Sequence, residues 1–232
     1  MMERGNIRAV LFDMDGTLLD TEKVYLESVI AGLTACGYTD DIMALGHAMI
    51  GIPGAECEIL LRDRYGESFP FAELNLAFGA RCAEILKGEI PLKRGAVELL
   101  DALRETGHPM AIVTSSSRRT AQEHLTLAGI RERFQAVLTR DDVARGKPDP
   151  ELYLLAASRF GVPPQSCLAI EDSNPGVASA HGAGAITVMV PDILPPTESS
   201  RAKCTAVLAD LAAVAELLRD WGMLARTHAA TD

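Results

Sequence analysis

The chain has 232 residues, 48% of them hydrophobic, and a formal net charge of −10 at pH 7. That length and apolar content suit one large domain or two small ones with a proper core. The acidic balance, without any basic block, argues against nucleic acid as a partner, and it means that any phosphate site must gather positive charge locally, from a metal, a lysine or backbone N–H groups.

The five cysteines, Cys36, Cys57, Cys82, Cys167 and Cys204, are odd in number and scattered, with no Cys-x-x-Cys. They read as reduced thiols of a cytosolic protein, not as a zinc site. The apolar run that follows Met1-Met2-Glu3-Arg4-Gly5 is too short for a signal peptide, and no stretch is long and apolar enough to span a membrane. The expectation is a soluble cytoplasmic protein with no membrane partner, a monomer or a weak dimer.

In chain order, residues 7–12 read as a buried strand that stops at Asp13 and Asp15. Helical spacing follows from Glu22 to Cys36, with Asp20 and Thr21 as N-cap candidates and Gly37 as its stop. Residues 40–50, 53–65 and 71–87 continue in helical pattern, broken at Gly51-Ile52-Pro53-Gly54 and Ser68-Phe69-Pro70. The pattern then changes. Helices are expected at 95–105, 118–128, 150–160, 174–181 and 210–219, and strands at 109–113, 135–138, 166–170, 185–190 and 206–208. Residues 191–200, with three prolines, read as a loop, and the segment after Trp221 is weakly patterned.

Alternating strands and helices imply parallel βα units with right-handed crossovers. The fold class is therefore α/β: a Rossmann-like parallel-sheet core (1–19 and 89–232) with an inserted all-helical cap domain (20–88). An insertion beside the loop that carries Asp13 and Asp15 is expected to act as a lid.

Four strand ends carry polar clusters: Asp13/Asp15, Thr114/Ser115, the Gly146-Lys147-Pro148 loop, and Glu171/Asp172. In a parallel sheet these ends share one edge, where ligands bind. Asp-x-Asp-Gly is not an EF-hand loop here, since the sixth and twelfth positions from Asp13 hold Leu18 and Val24. Taken singly, each cluster is also ordinary turn or cap chemistry; the convergence of four points to a site. Asp13 suits a nucleophile that forms an aspartyl-phosphate. Asp15 suits the acid that protonates the leaving oxygen and later activates water. The Thr114 hydroxyl can hydrogen-bond a phosphate oxygen, and Lys147 can neutralise developing charge. Mg²⁺ prefers oxygen ligands, and Asp13, the Asp15 carbonyl, Glu171 and Asp172 supply them.

The stretches Phe12-Asp13-Met14-Asp15-Gly16-Thr17-Leu18, Val113-Thr114-Ser115, Gly146-Lys147-Pro148-Asp149-Pro150 and Glu171-Asp172-Ser173-Asn174-Pro175-Gly176 resemble the four motifs of the haloacid-dehalogenase-like superfamily. The resemblance runs from residue 7 to about 192, and the insertion is similar to the small helical cap of the β-phosphoglucomutase-like branch. It implies Asp13 as nucleophile, Asp15 as acid/base, Thr114 and Lys147 on phosphate, and Asp172 with Glu171 on Mg²⁺. Asp15 argues against the dehalogenases, which lack the second Asp, and against the phosphonate-cleaving members. The mutases of the branch carry a cap His about twelve residues after the nucleophile and an arginine beyond the cap's central glycine. Those places hold Tyr25 and, near Gly51, Pro53 and Gly54.

The expected function is an Mg²⁺-dependent phosphatase acting on a small phosphorylated metabolite, a sugar phosphate or a nucleotide-like compound. A sugar-phosphate mutase and a non-catalytic phosphometabolite-binding module stand as alternatives. In the cap, Glu22, Tyr25, Met49, Ile50 and Arg81 are candidate substrate contacts. Met49 and Ile50 read more readily as core than as contacts, and Arg81 more readily as surface. Ser115 joins Thr114, Lys147 and Glu22 as a candidate substrate-binding residue. The histidines His47, His108, His124, His181 and His228 show no ligand spacing and receive no role.

Overall fold

The structure, a computed structural model, describes residues 7–50, 52 and 54–225. Gly51 and Pro53 of the expected helix break, and His228 in the C-terminal segment, lie outside the described residues. The chain divides into two units, with break points between Leu19 and Asp20 and between Pro91 and Leu92.

The larger unit is built on six strands: β1 (Ala9–Phe12), β2 (Met110–Val113), β3 (Ala136–Leu138), β4 (Cys167–Glu171), β5 (Ile186–Met189) and β6 (Ala206–Val207). They form one parallel sheet in the order β3-β2-β1-β4-β5-β6. β1 and β4 are buried at every residue, so they are continuous apolar runs rather than alternating ones. The order reverses beside β1, which puts the ligand crevice of such a sheet outside the carboxyl ends of β1 and its neighbours.

The unit's helices are α5 (Ala96–Glu105), α6 (Arg118–Leu127), α7 (Glu151–Arg159), α8 (Asn174–Gly182), α9 (Glu198–Lys203) and α10 (Leu211–Asp220), numbered after the four of the helical unit below. Leu152, Tyr153 and Ala156 of α7 and Ala180 of α8 pack on Leu11, Ala111, Val113 and Ala169 of the sheet. α5 and α10 pack together, burying Leu99, Leu100 and Leu103 with Leu211, Val214 and Leu218.

The second unit is all-helical: α1 (Glu22–Ala35), α2 (Ile42–Met49), α3 (Gly54–Tyr65) and α4 (Phe71–Leu86). Its core gathers Leu33, Leu45, Leu61, Phe69 and Leu74, with Met49 packed against them. Tyr38, Tyr65 and Phe69 form an aromatic cluster with centroids 4.4 to 5.6 Å apart.

Two local expectations change. Thr21 occupies the N-cap position of α1 but its side chain makes no cap bond, because its backbone (φ −97°, ψ −22°) is already helical rather than extended. The segment 191–200 is not all loop: α9 starts within it, since the Thr197 hydroxyl accepts from the Ser200 N–H at 3.1 Å and Glu198 complements the first turn. The prolines precede the cap and do not enter the helix. The five cysteines are free thiols, and burial pushes those of Cys57, Cys167 and Cys204 up to about 11. Among the described residues no helix is long and apolar enough to cross a membrane.

Candidate active site

The site begins where β1 ends. The Asp13 N–H donates to the Ile170 carbonyl at 3.0 Å, which ties the first aspartate to the end of β4. The chain then turns sharply: Leu18 and Leu19 N–H groups both donate to the Met14 carbonyl at 3.0 Å, and Gly16 adopts φ +79°, a conformation that costs a side-chain-bearing residue dearly. This turn delivers Thr17, fully buried, whose hydroxyl donates to Asp172 Oδ1 at 3.0 Å.

Lys147 comes from the loop before α7, 134 residues from Asp13 in sequence. Its ammonium donates to Asp13 Oδ1 at 2.6 Å, Glu171 Oε1 at 2.6 Å and the Val113 carbonyl at 2.8 Å. Three acceptors match the three protons of an ammonium, so the group is saturated. Glu171 is fully buried at the end of β4. Its Oε1 also accepts from the Tyr153 hydroxyl at 2.5 Å, and its Oε2 accepts from the Ser173 hydroxyl at 3.2 Å. Ser173 simultaneously caps α8 by accepting from the Gly176 N–H at 3.1 Å. Gly176 must lack a side chain, because a Cβ there would stand 1.8 Å from Glu171 Oε2.

The end of β2 adds a second group. Thr114 is buried, and its Oγ1 accepts from the Ser116 N–H at 3.0 Å. The Ser116 hydroxyl donates to Asp15 Oδ2 at 2.8 Å, and His124 Nδ1 of α6 lies 3.7 Å from Asp15 Oδ1. Asp15 is thereby held against the β2–α6 loop.

Charge governs this arrangement. Asp13, Glu171 and Asp172 each offer an oxygen within 4.8 Å of the others. Burial, chiefly, raises the Asp13 carboxyl well above its ordinary range; the Lys147 ammonium opposes that, while the Glu171 and Asp172 charges reinforce it. Burial disfavours the Lys147 ammonium, but Asp13 and Glu171 outweigh it and hold the lysine protonated above its usual range. One ammonium among three buried carboxylates leaves an excess of negative charge, which an oxygen-seeking divalent cation would neutralise. The residues that could hold one are Asp13, Glu171 and Asp172.

Of the residues singled out from sequence, Asp13, Lys147, Glu171 and Asp172 lie in this one cluster. Asp15 and Thr114 meet Ser116 beside it, and the Asp15 carboxylate is not among the three clustered acids. Ser115 is half-buried in the same loop. Glu22 is buried in the first turn of α1, within the helical unit. Tyr25 packs against Phe78 with the rings tilted and centroids 5.9 Å apart, and Arg81 pairs with Glu27 and Glu84. Sequence reasoning passed over Thr17, Ser116, His124, Tyr153, Ser173 and Gly176. Four of these sit inside the motifs or beside them; Tyr153 and His124 gave no local signal, since helix periodicity marks them only as inward-facing.

A sequence model of the family described as haloacid dehalogenase-like hydrolase matches residues 7–184. The chain is 31% identical over 180 residues to the phosphorylated carbohydrates phosphatase of Thermotoga maritima, covering 77% of this chain and 82% of that one. Among solved structures, an HAD family hydrolase from Deinococcus radiodurans with bound phosphate and sodium is 29% identical with a TM-score of 0.78, covering 96% of this chain and 100% of that one. A variant of CbbY from Rhodobacter sphaeroides, in complex with xylulose-(1,5)bisphosphate, is 27% identical with a TM-score of 0.73, covering 89% and 95%.

Proposed function

The chain belongs to the haloacid dehalogenase-like hydrolases, and from that premise we propose that it is a phosphoric monoester hydrolase acting on phosphorylated sugars or similar small metabolites through an aspartyl-phosphate. The observation that carries this reading is the Lys147 ammonium held 2.6 Å from both Asp13 Oδ1 and Glu171 Oε1 at the carboxyl edge of the sheet.

The chemistry follows from the residues. Asp13, with Oδ1 on Lys147, presents its other oxygen for attack on phosphorus. A P–O bond forms to Asp13 and the bond to the leaving oxygen breaks. Asp15 gives that oxygen its proton, then takes one from the water that attacks the aspartyl-phosphate, releasing orthophosphate and restoring Asp13. Ser116 holds Asp15 in place through its hydroxyl. Thr114 and Ser115 meet the phosphoryl oxygens, and Lys147, fixed beside Asp13, offsets the charge that develops on them. Glu22 is the helical unit's candidate for a substrate contact. The all-oxygen set of Asp13, Glu171 and Asp172 fits Mg²⁺, with the Asp15 carbonyl as a further donor. Mg²⁺ bound there supplies charge neutralisation for the phosphoryl group.

The Thermotoga relative, a phosphatase of phosphorylated carbohydrates, and the sugar bisphosphate in the CbbY complex support a sugar phosphate as substrate. Tyr25, and Pro53 with Gly54, in the places where the mutases carry His and Arg, favour hydrolysis over phosphoryl return. The test is orthophosphate release from a panel of phosphorylated sugars and nucleoside monophosphates, with Mg²⁺ and with chelator. Mg²⁺-dependent release from a few related compounds is expected. Interconversion of a hexose phosphate without release would replace hydrolase by mutase, and binding without turnover would leave a metabolite-binding module.

A further inference from the structure

Tyr153 stands apart from the motifs. It is fully buried on α7, packed among Leu152, Ala156 and the sheet residues, yet its hydroxyl is aimed at the charged cluster. A buried hydroxyl must find a partner, and a phenylalanine would fill the same space without that need. The partner is Glu171 Oε1, at 2.5 Å, the same oxygen that takes the Lys147 ammonium at 2.6 Å. The Tyr153 ring also lies 5.5 Å from Lys147 Nζ. Glu171 is thus pinned from three sides: Tyr153 and Lys147 on Oε1, Ser173 on Oε2, with the Gly176 backbone closing the space behind. Burial, and the nearby Glu171 and Asp13 charges, hold the Tyr153 phenol above its usual range, so it stays a donor.

We infer that Tyr153 is a positioning residue: its hydroxyl orients Glu171, which orients the Lys147 ammonium, which orients the Asp13 carboxylate. The inference rests on the reading of Asp13 and Lys147 as reacting groups. Without the hydroxyl, Glu171 Oε1 loses its neutral donor, the carboxylate gains freedom, and the lysine loses a fixed acceptor. Small displacements of an attacking group are enough to slow a reaction severely.

The test compares the wild-type chain with Tyr153→Phe, using p-nitrophenyl phosphate with Mg²⁺ as the probe. The expected result is a fall in kcat of about tenfold, with KM changed by less than about twofold. The melting temperature should stay within about 3 °C, since the ring remains. A readout independent of activity is the ¹⁵N signal of the Lys147 ammonium. In the wild type it should exchange with water far more slowly than a surface lysine, because all three protons are bonded; in the variant it should exchange faster. An unchanged kcat overturns the inference. So does a lower kcat with an unchanged ammonium signal, and so does a variant that fails to fold, which would assign the hydroxyl to the core. A fast-exchanging ammonium in the wild type overturns it without any variant. A wild type that releases no phosphate from this probe or from the metabolite panel overturns the proposed hydrolase instead, and the ammonium signal then decides the Tyr153 link by itself.

Discussion

At the residue scale the cluster of Asp13, Lys147, Glu171 and Asp172 sets two opposing demands. The reaction needs an ionised Asp13, and the fold buries that carboxyl among like charges. Lys147 opposes the effect of burial without cancelling it. Replacing Asp13 by Asn keeps the shape and a polar partner for the ammonium, so the chain should fold with a melting temperature near wild type. Turnover should fall by about 10⁴-fold or more, as expected when a nucleophile is lost; substantial phosphate release by the variant would refute the assignment. Lys147→Met acts differently. It leaves three buried carboxylates with no ammonium, and removing one partner of a buried pair costs about 3 kcal/mol or more. The pH dependence follows from Asp13, whose folded-state carboxyl lies above its ordinary value of 3.8. Such a group favours the folded state below that value and loses this contribution as pH rises through the folded one. Without the ammonium the carboxyl is raised further. The gap in melting temperature between variant and wild type should therefore narrow as pH falls toward 3.8 and widen as pH rises above it. Lys147 itself is raised above 10.5, so its own contribution is fully present across that range. A gap independent of pH would show that the ammonium does not act on these acids.

At the element scale the site depends on helix starts as much as on strand ends. α8 begins directly behind Glu171: Ser173 caps the helix and holds the carboxylate with one hydroxyl, and Gly176 leaves the gap the carboxylate occupies. Gly176→Ala places a methyl in that gap. Glu171 is fully buried and cannot swing to solvent, so the helix or the carboxylate must shift. A destabilisation of about 1–3 kcal/mol is expected, with a loss of turnover beyond it, readable as low kcat in protein that is still folded by circular dichroism. Wild-type kcat would mean that Glu171 need not stay where it is. The elements themselves were largely legible in the residue pattern, because continuous apolar runs of four or five residues and helical spacing are local properties. α9 was not legible, being only six residues long and preceded by Pro195-Pro196, which dominate its local composition. The α1 cap escapes the residue pattern for a related reason: Thr is a good cap type, but the backbone entering α1 is already helical at Thr21.

At the scale of the whole molecule, the helical unit interrupts the α/β unit between Leu19 and Leu92, and these two residues are bridged to each other in antiparallel fashion. Lys93 also donates from its N–H to the Leu18 carbonyl at 2.8 Å. The ends of the insertion are thus joined within the α/β unit, and closing so short a gap costs little entropy. Replacing residues 20–91 by a short Gly-Ser linker should leave a soluble protein that melts cooperatively; a molten or aggregated product would show that the sheet unit needs the insertion in order to fold. The sequence by itself determined the alternation of strands and helices, the helical block, and the polar clusters at the strand ends, because each depends on neighbours a few residues apart. It also carried the family motifs, and with them the types of residue that do the chemistry. Tertiary structure alone decided that Lys147 bonds Asp13 across 134 residues, that Tyr153 and Ser173 share Glu171, and that Ser116 and His124 flank Asp15. The physical reason is that a parallel sheet collects its strand ends on one edge whatever their separation in the chain. Which side chains then touch depends on helix rotation and burial, and no local pattern encodes either.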